Sequence, residues 1–165
     1  MERIVVGISD ASGTHLACRF VSQLKQYTEC EVHVVVTDSG RLTASYEEPE
    51  LFDKALALAD NVHSNASLGE SIASGTFKTE GMVIIPCSMK TVAGIASGYS
   101  DNLLLRAADV TLKEQRPLVL VARETPMNAI HLRNFAQLAI DSPKEALLCT
   151  LSAKASALSN SSGSS

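Results

Sequence analysis

The chain has 165 residues, enough for one domain with a substantial core, and 45% of them are hydrophobic while only 4% are aromatic. The formal charge is −4 and no dense run of Lys and Arg occurs, which argues against nucleic acid or an anionic membrane surface as the main partner. The four cysteines form no CxxC pair and have no His at ligand spacing, so neither a zinc site nor a disulfide framework is expected. The composition therefore indicates a compact α/β protein with a small molecule or a protein as its partner.

The first residues lead almost directly into a strand-like run, without a basic and then apolar leader. No apolar run reaches the length that spans a membrane. We therefore expect a cytoplasmic protein, with a mitochondrial location left open for a eukaryotic source.

Strand-like and helix-like segments alternate along most of the chain. Residues 3–8 and 31–37 read as strands, and the segment 14–27 between them has apolar residues at helical spacing. Residues 81–86 and 117–122 are continuous apolar runs, which is typical of parallel strands buried on both faces. Two further helical patterns lie between these runs, TVAGIA at 91–96 and DNLLLRAADVTLKE at 101–114.

Parallel strands joined by helical crossovers predict an α/β fold with three layers, a Rossmann-like doubly wound parallel sheet. Ligands of such sheets bind beyond the carboxyl ends of the strands. The loops after Ile8, Val36, Pro86 and Ala122 are therefore expected to form the binding site.

The C-terminal part follows a different pattern. Thr125 and the proline after it predict the start of a helix that runs to about Ile140, and a capping-box sequence from Ser142 predicts a second helix to about Leu158. No strand is predicted after Ile140. The Ser-rich end has little to bury and is expected to be disordered. The predicted division is 1–140 for a main ligand-binding domain, 141–158 for a C-terminal helix and 159–165 for a tail.

Small and hydroxyl-bearing residues cluster in two of the four expected site loops. The loop 7–13, GISDASG, leads from a strand into a helix, where unpaired N–H groups and the helix dipole favour a phosphate, although a simple helix cap explains it equally well. The turn 88–91 repeats this arrangement after another strand, so two anion-binding turns face each other. Asp10 stands within the first loop, where its carboxylate would compete with a phosphate for the same donors.

Charged residues near the strand ends complete the set of candidates. Arg123 and Glu124 directly follow a predicted strand, where their side chains either point into the ligand crevice or form a solvated pair. Arg106 and Lys113 are seven residues apart, nearly on one face of a helix, and either bind an anion or remain surface charges, with Asp109 as a possible partner.

Three other residue types gave weaker signals. Glu47 reads as an exposed loop acid, and Cys87 as an inert buried thiol. The histidines are scattered without a Ser/His/Asp or metal pattern, so hydrolysis by a catalytic triad gains no support.

Together these motifs carry a family resemblance that covers roughly residues 2 to 140. The combination of PCSxKT, NLLxRAADVxLKExRPLVLxxRE and the early GISDASG loop resembles the UbiX-type flavin prenyltransferases, once called phenylacrylic or hydroxybenzoate decarboxylases. Two features depart from the family pattern. Asp10 stands where the family has glycine, and residues 141–165 lack the Tyr and the Arg that the family carries there for the prenyl phosphate.

The resemblance implies a flavodoxin-like homo-oligomer, a trimer or a dodecamer, with FMN bound between subunits and no metal. Members attach a dimethylallyl group from dimethylallyl monophosphate to N5 and C6 of reduced FMN, and the prenylated FMN serves a UbiD-type decarboxylase in ubiquinone biosynthesis or aromatic acid decarboxylation. By matching positions, the residues implied to hold FMN are Asp10, Ala11, Ser12, Thr37, Ser88, Met89, Lys90, Thr91 and Arg123. Those implied for the prenyl phosphate and its transfer are Ser12, Glu47, Arg106, Lys113 and Glu124.

The implied residue types suit the chemistry. Cleavage of an allylic C–O bond leaves a phosphate and a cation-like carbon, so Arg106 and Lys113 would stabilise the departing anion. Glu47 or Glu124 would orient groups or relay the proton that C6 loses. Two alternatives stay open: a family member that only carries flavin or assists assembly, and a flavin-dependent decarboxylase with His15 as its candidate histidine.

Overall fold

The computed structural model of the protein describes residues 1–141 and 146–150. Within these residues, six parallel strands form one sheet with helices on both faces. The strands are β1 (Arg3–Ile8), β2 (Glu31–Val36), β3 (Asn61–Ser64), β4 (Gly81–Cys87), β5 (Leu118–Ala122) and β6 (Ala146–Thr150). The helices are α1 (Thr14–Tyr27), α2 (Asp38–Glu47), α3 (Pro49–Leu58), α4 (Met89–Ala96), α5 (Leu103–Lys113) and α6 (Ala129–Asp141), with a 3-10 helix at Ser71–Ala73.

The strand order is β3-β2-β1-β4-β5-β6, so the direction of winding reverses between β1 and β4. This is the strand order of the Rossmann fold. Without the four-residue edge strand β3, the remaining strands follow the flavodoxin order 2-1-3-4-5. The predicted doubly wound parallel sheet is confirmed, and the reversal places a crevice at the carboxyl ends of β1 and β4.

The core consists of two apolar layers, one on each face of the sheet. Successive residues of β1 point to opposite faces, so Val5 packs in one layer and Val6 in the other. The layer around Val6 is covered by α1, α2 and α3, with Ala17 and Val21 from α1 fully buried. The layer around Val5 is covered by α4, α5, the 3-10 helix and Leu138 of α6. Burial on both faces explains why the strands read as continuous apolar runs.

The C-terminal prediction was wrong at two points. Helix α6 begins at Ala129 rather than next to Thr125, because the side chain of Asn128 accepts hydrogen bonds from N–H of Ile130 and His131, both at 2.9 Å, and so caps the helix there.

The predicted C-terminal helix is also wrong for residues 146–150, which form the strand β6. Its backbone pairs with the whole of β5, from Leu118 opposite Ala146 to Ala122 opposite Thr150. The unpaired edge of β5 offers a row of N–H and C=O groups that a local capping signal does not reveal. The rest of the predicted helix and the Ser-rich tail lie outside the described residues.

Residues 38–64 were left unassigned by the sequence patterns and contain α2, α3 and β3. Across the described ranges, no helix is long and apolar enough to cross a membrane.

Candidate functional site

A cleft of about 250 Å³ lies at the carboxyl edge of the sheet, where the winding reverses between β1 and β4. Its walls come from the loops after β1, β2, β3 and β4 and from the start of α5. This is the position at which doubly wound sheets bind their ligands. The cleft is lined by Asp10, Thr37, Asp38, Ser39, Asn65, Lys90, Thr91, Asn102, Leu104 and Leu105.

The loops after β1 and β4 are joined by buried hydrogen bonds. Ser9 donates from its backbone N and its Oγ to the carbonyl oxygen of Pro86, at 3.2 and 3.1 Å, and accepts from N–H of Ser88 at 2.8 Å. The Ser88 hydroxyl donates to Oδ1 of Asp10 at 3.0 Å and accepts from N–H of Thr91 at 3.2 Å, so it also caps α4. The predicted pairing of two small-residue turns is therefore confirmed, with Asp10 as part of the joint.

The start of α1 does not offer the free donors that the sequence predicted. Gly13 takes a left-handed conformation (φ 103°), and its N–H faces both carboxylate oxygens of Glu47 at 3.1 Å. The same carboxylate accepts from N–H of Thr14 at 2.9 Å. Glu47, the last residue of α2 and not a loop acid, thus fills the anion position at this helix terminus.

The hydrogen bonds that the Glu47 carboxylate accepts determine its ionisation. Partial burial raises the pKa of this carboxyl, but the hydrogen bonds from Thr14 and Gly13 and the nearby His15 outweigh burial, so its pKa lies below the ordinary value. At neutral pH the carboxylate is therefore charged and holds α2 against the first turn of α1.

The start of α4 contributes donors and a cation to the cleft. Thr91 lines the cleft near the capping Ser88, and the exposed Lys90 points its charge to the same space, with no ion pair to any other described residue. Across the cleft, the hydroxyl of Thr37 caps α2 by accepting from N–H of Gly40 at 3.0 Å. A Cβ at Gly40 would lie 3.0 Å from the carbonyl oxygen of Ile8, so glycine lets α2 approach the end of β1.

The start of α5 closes the cleft through two asparagines that the site prediction missed. Asn102 caps the helix by accepting from N–H of Leu105 at 3.0 Å. Asn65 accepts from N–H of Leu103 with its backbone oxygen and from N–H of Leu104 with its side chain, both at 2.9 Å. The N-cap pattern at Asn102 was readable in the sequence. Asn65 could be predicted as a site residue only if β3 was known to end just before it. Asp38 and Ser39 could be predicted only if the start of α2 was known.

Arg123 lies outside the cleft, beside the first loop. Its backbone N donates to the carbonyl oxygen of Cys87 at 3.2 Å, and its guanidinium nitrogen lies 2.8 Å from where a Cβ on Gly13 would stand. Ser12 and Glu124 are exposed beside this arrangement. Ala11 and Met89 are neighbours of the lining residues and do not line the cleft themselves.

The structure does not bring Arg106 and Lys113 together at the cleft of their own chain. Arg106 forms an ion pair with Asp109 at 2.6 Å, and Lys113 forms one with Glu114 at 3.1 Å. Helix α5 leads away from the cleft, so Lys113 lies about 15 Å beyond its first residue along the axis.

Cys87 is completely buried at the end of β4, and burial followed by the charge of Asp10 raises the pKa of its thiol far above the ordinary value. The thiolate needed for nucleophilic chemistry is therefore suppressed. This is consistent with the inert buried thiol that the sequence indicated.

A doubly wound parallel sheet with a donor-lined cleft at its switch point defines the class of α/β proteins that bind nucleotide-like cofactors. The family model described as Flavoprotein matches residues 1–158. The chain belongs to this flavoprotein family and, within it, to the UbiX-like flavin prenyltransferases.

The similarity extends over most of the chain. A probable UbiX-like flavin prenyltransferase from Sedimentibacter hydroxybenzoicus is 50% identical over 135 residues, which are 82% of this chain and 71% of that protein. The crystal structure of AnUbiX (PadA1) in complex with FMN and dimethylallyl pyrophosphate has a TM-score of 0.84 at 41% identity, and the match covers 89% of this chain and 76% of that one. A dodecameric FMN-dependent UbiX-like decarboxylase from Escherichia coli O157:H7 has a TM-score of 0.82 at 40% identity, covering 90% and 78%.

Proposed function

We propose that this protein is a flavin prenyltransferase, which transfers a dimethylallyl group from dimethylallyl monophosphate to reduced FMN. The observation that carries the proposal is the cleft at the β1/β4 switch point of a chain of this family. Hydroxyl groups, two leucines and the ammonium group of Lys90, which pairs with no acid among the described residues, meet there. The product, prenylated FMN, would then serve a UbiD-type decarboxylase in the cytoplasm.

The donor set of the cleft fits FMN. Its polar side combines the Lys90 ammonium with the hydroxyls of Thr37 and Thr91, which suit a phosphate and a polyhydroxy chain. The cleft is also lined by Leu104 and Leu105, which suit one face or edge of a flat heteroaromatic ring. When bound, reduced FMN supplies the nitrogen and the carbon that accept the prenyl group.

The charged side chains would act on the prenyl phosphate. During transfer the allylic C–O bond breaks and the phosphate leaves with the bonding electrons, so positive charge aimed at the phosphate lowers the barrier. Arg123, beside the first loop, would help to hold FMN, as its matching position implies. Ser12 would hold the same ligand from that loop. Glu124 would orient groups or accept the proton that C6 loses.

Arg106 and Lys113 require a different arrangement, because α5 carries Lys113 away from the cleft of its own chain. We infer a homo-oligomer in which these cations face the cleft of a neighbouring subunit. The dodecameric relative supports such an assembly. In that arrangement, breaking the ion pairs with Asp109 and Glu114 would free both cations for phosphate.

The test is anaerobic incubation of the full chain with reduced FMN and dimethylallyl monophosphate, followed by mass spectrometry of the released flavin. We expect prenylated FMN, and comparison with a family member that has the C-terminal Tyr and Arg measures what those two side chains contribute, since residues 141–165 contain neither. Each missing charge-assisted donor costs about 1.5–3 kcal/mol, roughly tenfold to a hundredfold in rate. Retained FMN without any prenylated product would instead support a flavin carrier.

A matched pair of variants tests the site itself. Lys90→Gln removes the cation of the cleft and is expected to weaken FMN binding about tenfold, the effect of losing one charge-assisted contact. Lys54→Gln removes an exposed charge on α3, away from the cleft, and is expected to leave the affinity unchanged. Equal affinities in the two variants would refute the placement of FMN.

A further inference from the structure

Two buried histidines outside the cleft form a pair that the proposed reaction does not use. His33 of β2 and His63 of β3 are only 3% and 7% exposed, and their rings stack with centroids 5.2 Å apart. Nδ1 of His33 lies 2.9 Å from Nε2 of His63, so one hydrogen atom is shared between the two nitrogens.

Each outer nitrogen of the pair faces a carboxylate. Nδ1 of His63 lies 3.0 Å from Oε2 of Glu70, and Nε2 of His33 lies 3.2 Å from Oε1 of Glu31. The second contact has the distance of an ion pair but lacks the geometry of a hydrogen bond, so this buried nitrogen has no hydrogen-bond partner among the described residues. The row Glu31, His33, His63, Glu70 therefore contains three contacts that each need a hydrogen atom.

Two neutral imidazoles carry only two N–H groups, and carboxylates only accept. In one tautomeric arrangement the pair donates to Glu70 and leaves Glu31 facing a lone pair, and in the other it donates to Glu31 and releases Glu70. One additional proton supplies the third N–H and anchors both ends. The neutral pair is thus one proton short of a complete hydrogen-bonded row.

The charged groups that face the pair come from three elements. Glu31 and Glu70 favour the extra proton, while Arg3 of β1, which is paired with Glu31 at 2.8 Å, opposes it. Burial is the largest influence and lowers the pKa of His33, and Glu31 only partly offsets it. Proton uptake is accordingly expected only below the ordinary histidine range.

The pair is connected to the cleft through β3. His63 lies two residues before Asn65, which accepts from N–H of Leu103 and Leu104 and lines the cleft. Glu70 ends the loop that begins with Asn65. When Glu70 is anchored to His63, both ends of this loop are held, and the position of Asn65 is better defined.

We propose that His33 and His63 bind one proton as a unit and act as positioning residues. The neutral pair can give its outer hydrogen to either Glu70 or Glu31, whereas the bound proton leaves an N–H at both ends, so that Glu70 stays anchored and Asn65 is held at the edge of the cleft. Ligand binding in the cleft becomes tighter when the pair takes up its proton. This last statement rests on the proposed function, whereas proton uptake by the pair and its effect on Asn65 do not.

Two measurements without flavin test the pair, with Glu70→Gln as the variant and Glu80→Gln, an exposed acid before β4, as the control. NMR of the histidine rings between pH 5 and 8 should show His33 and His63 sharing one proton in the full chain. Hydrogen exchange of the amides of Leu103 and Leu104 should slow about fivefold on acidification, after correction for the intrinsic exchange rates. Fivefold is the low end of the effects that one site typically has on another. Glu80→Gln should behave like the natural chain, and Glu70→Gln should lose this response.

A third measurement adds the ligand. The affinity for FMN should rise about fivefold in the natural chain relative to Glu70→Gln as the pH is lowered from 8 and the pair takes up its proton. The change in FMN affinity with pH is compared between the natural chain and Glu70→Gln, because the phosphate of FMN itself titrates near pH 6 and affects both proteins equally. Because the isoelectric point is about 5.5, light scattering is used to detect and discard samples that precipitate near this pH.

Independent titration of the two rings, or equal amide responses in the natural chain and Glu70→Gln, would overturn the proposal. A response of the amides without any change in relative FMN affinity would overturn its connection to the ligand. Absence of FMN binding at every pH would overturn the proposed function instead, and the two flavin-free measurements would still decide the role of the pair.

Discussion

Glu47→Gln separates the structural role of this residue from its implied role in catalysis. In the natural chain its carboxylate accepts from N–H of Gly13 at 3.1 Å and of Thr14 at 2.9 Å, and α1 has no other side-chain cap. Glutamine has almost the same shape but only one acceptor oxygen and no charge. Its NH₂ group would face backbone donors that need an acceptor.

The expected loss of stability follows from these contacts. A hydrogen bond to a charged group contributes about 1.5–3 kcal/mol, and a charge at a helix terminus about 0.3–1 kcal/mol more. Because Glu47 is exposed, solvent screens part of this energy, and we expect a loss of about 1–2 kcal/mol in the free energy of unfolding. In a domain of this size, Tm falls by about 2–4 °C for each kcal/mol.

Urea denaturation of Glu47→Gln and Glu48→Gln at several pH values checks the expectation. Glu48 is an exposed neighbour whose side chain forms no hydrogen bond or ion pair with the other described residues, so its variant should stay within about 0.5 kcal/mol of the natural chain. Since the pKa of Glu47 is lowered in the folded protein, its contribution is complete above about pH 4.5 and is lost as the pH falls through the lower folded value. Equal stability of both variants at pH 7 would refute the capping role.

Three further changes test the site and the core. Asp10→Asn keeps the oxygen that accepts from Ser88 but removes the negative charge. Calorimetry should therefore show that FMN binds about tenfold more tightly. Asp53→Asn on α3 is the control and should leave the affinity unchanged. Ser88→Glu adds a second carboxylate at the joint of the two loops, and flavin absorbance of the purified protein should disappear; unchanged flavin content would contradict the placement. Leu120→Ala leaves a cavity at a fully buried side chain of β5 and should cost about 2–5 kcal/mol by denaturation, whereas Leu132→Ala, 56% exposed, should cost less than about 1 kcal/mol.

The sequence alone predicted the central strands and their helices, because their signals are local. The apolar runs of β1, β2, β4 and β5 lie between turn residues, and the apolar spacing of α1 and α5 has a helical period. It also predicted that the polar turns at the ends of these strands meet, since parallel strands place their carboxyl ends at one edge. The Ser9–Ser88 hydrogen bond across that edge is a direct consequence.

Only the tertiary structure decided the features that depend on residues far apart in the chain. Residues 146–150 became a strand because β5 offers an unpaired edge, although their local pattern favours a helix. Glu47 and Gly13 are separated by 34 positions, and His33 and His63 by 30. The spacing of apolar residues along the chain contains no information about such contacts. The Glu47 carboxylate at the start of α1 and the buried pair of His33 and His63 therefore form only when the helices and strands pack together.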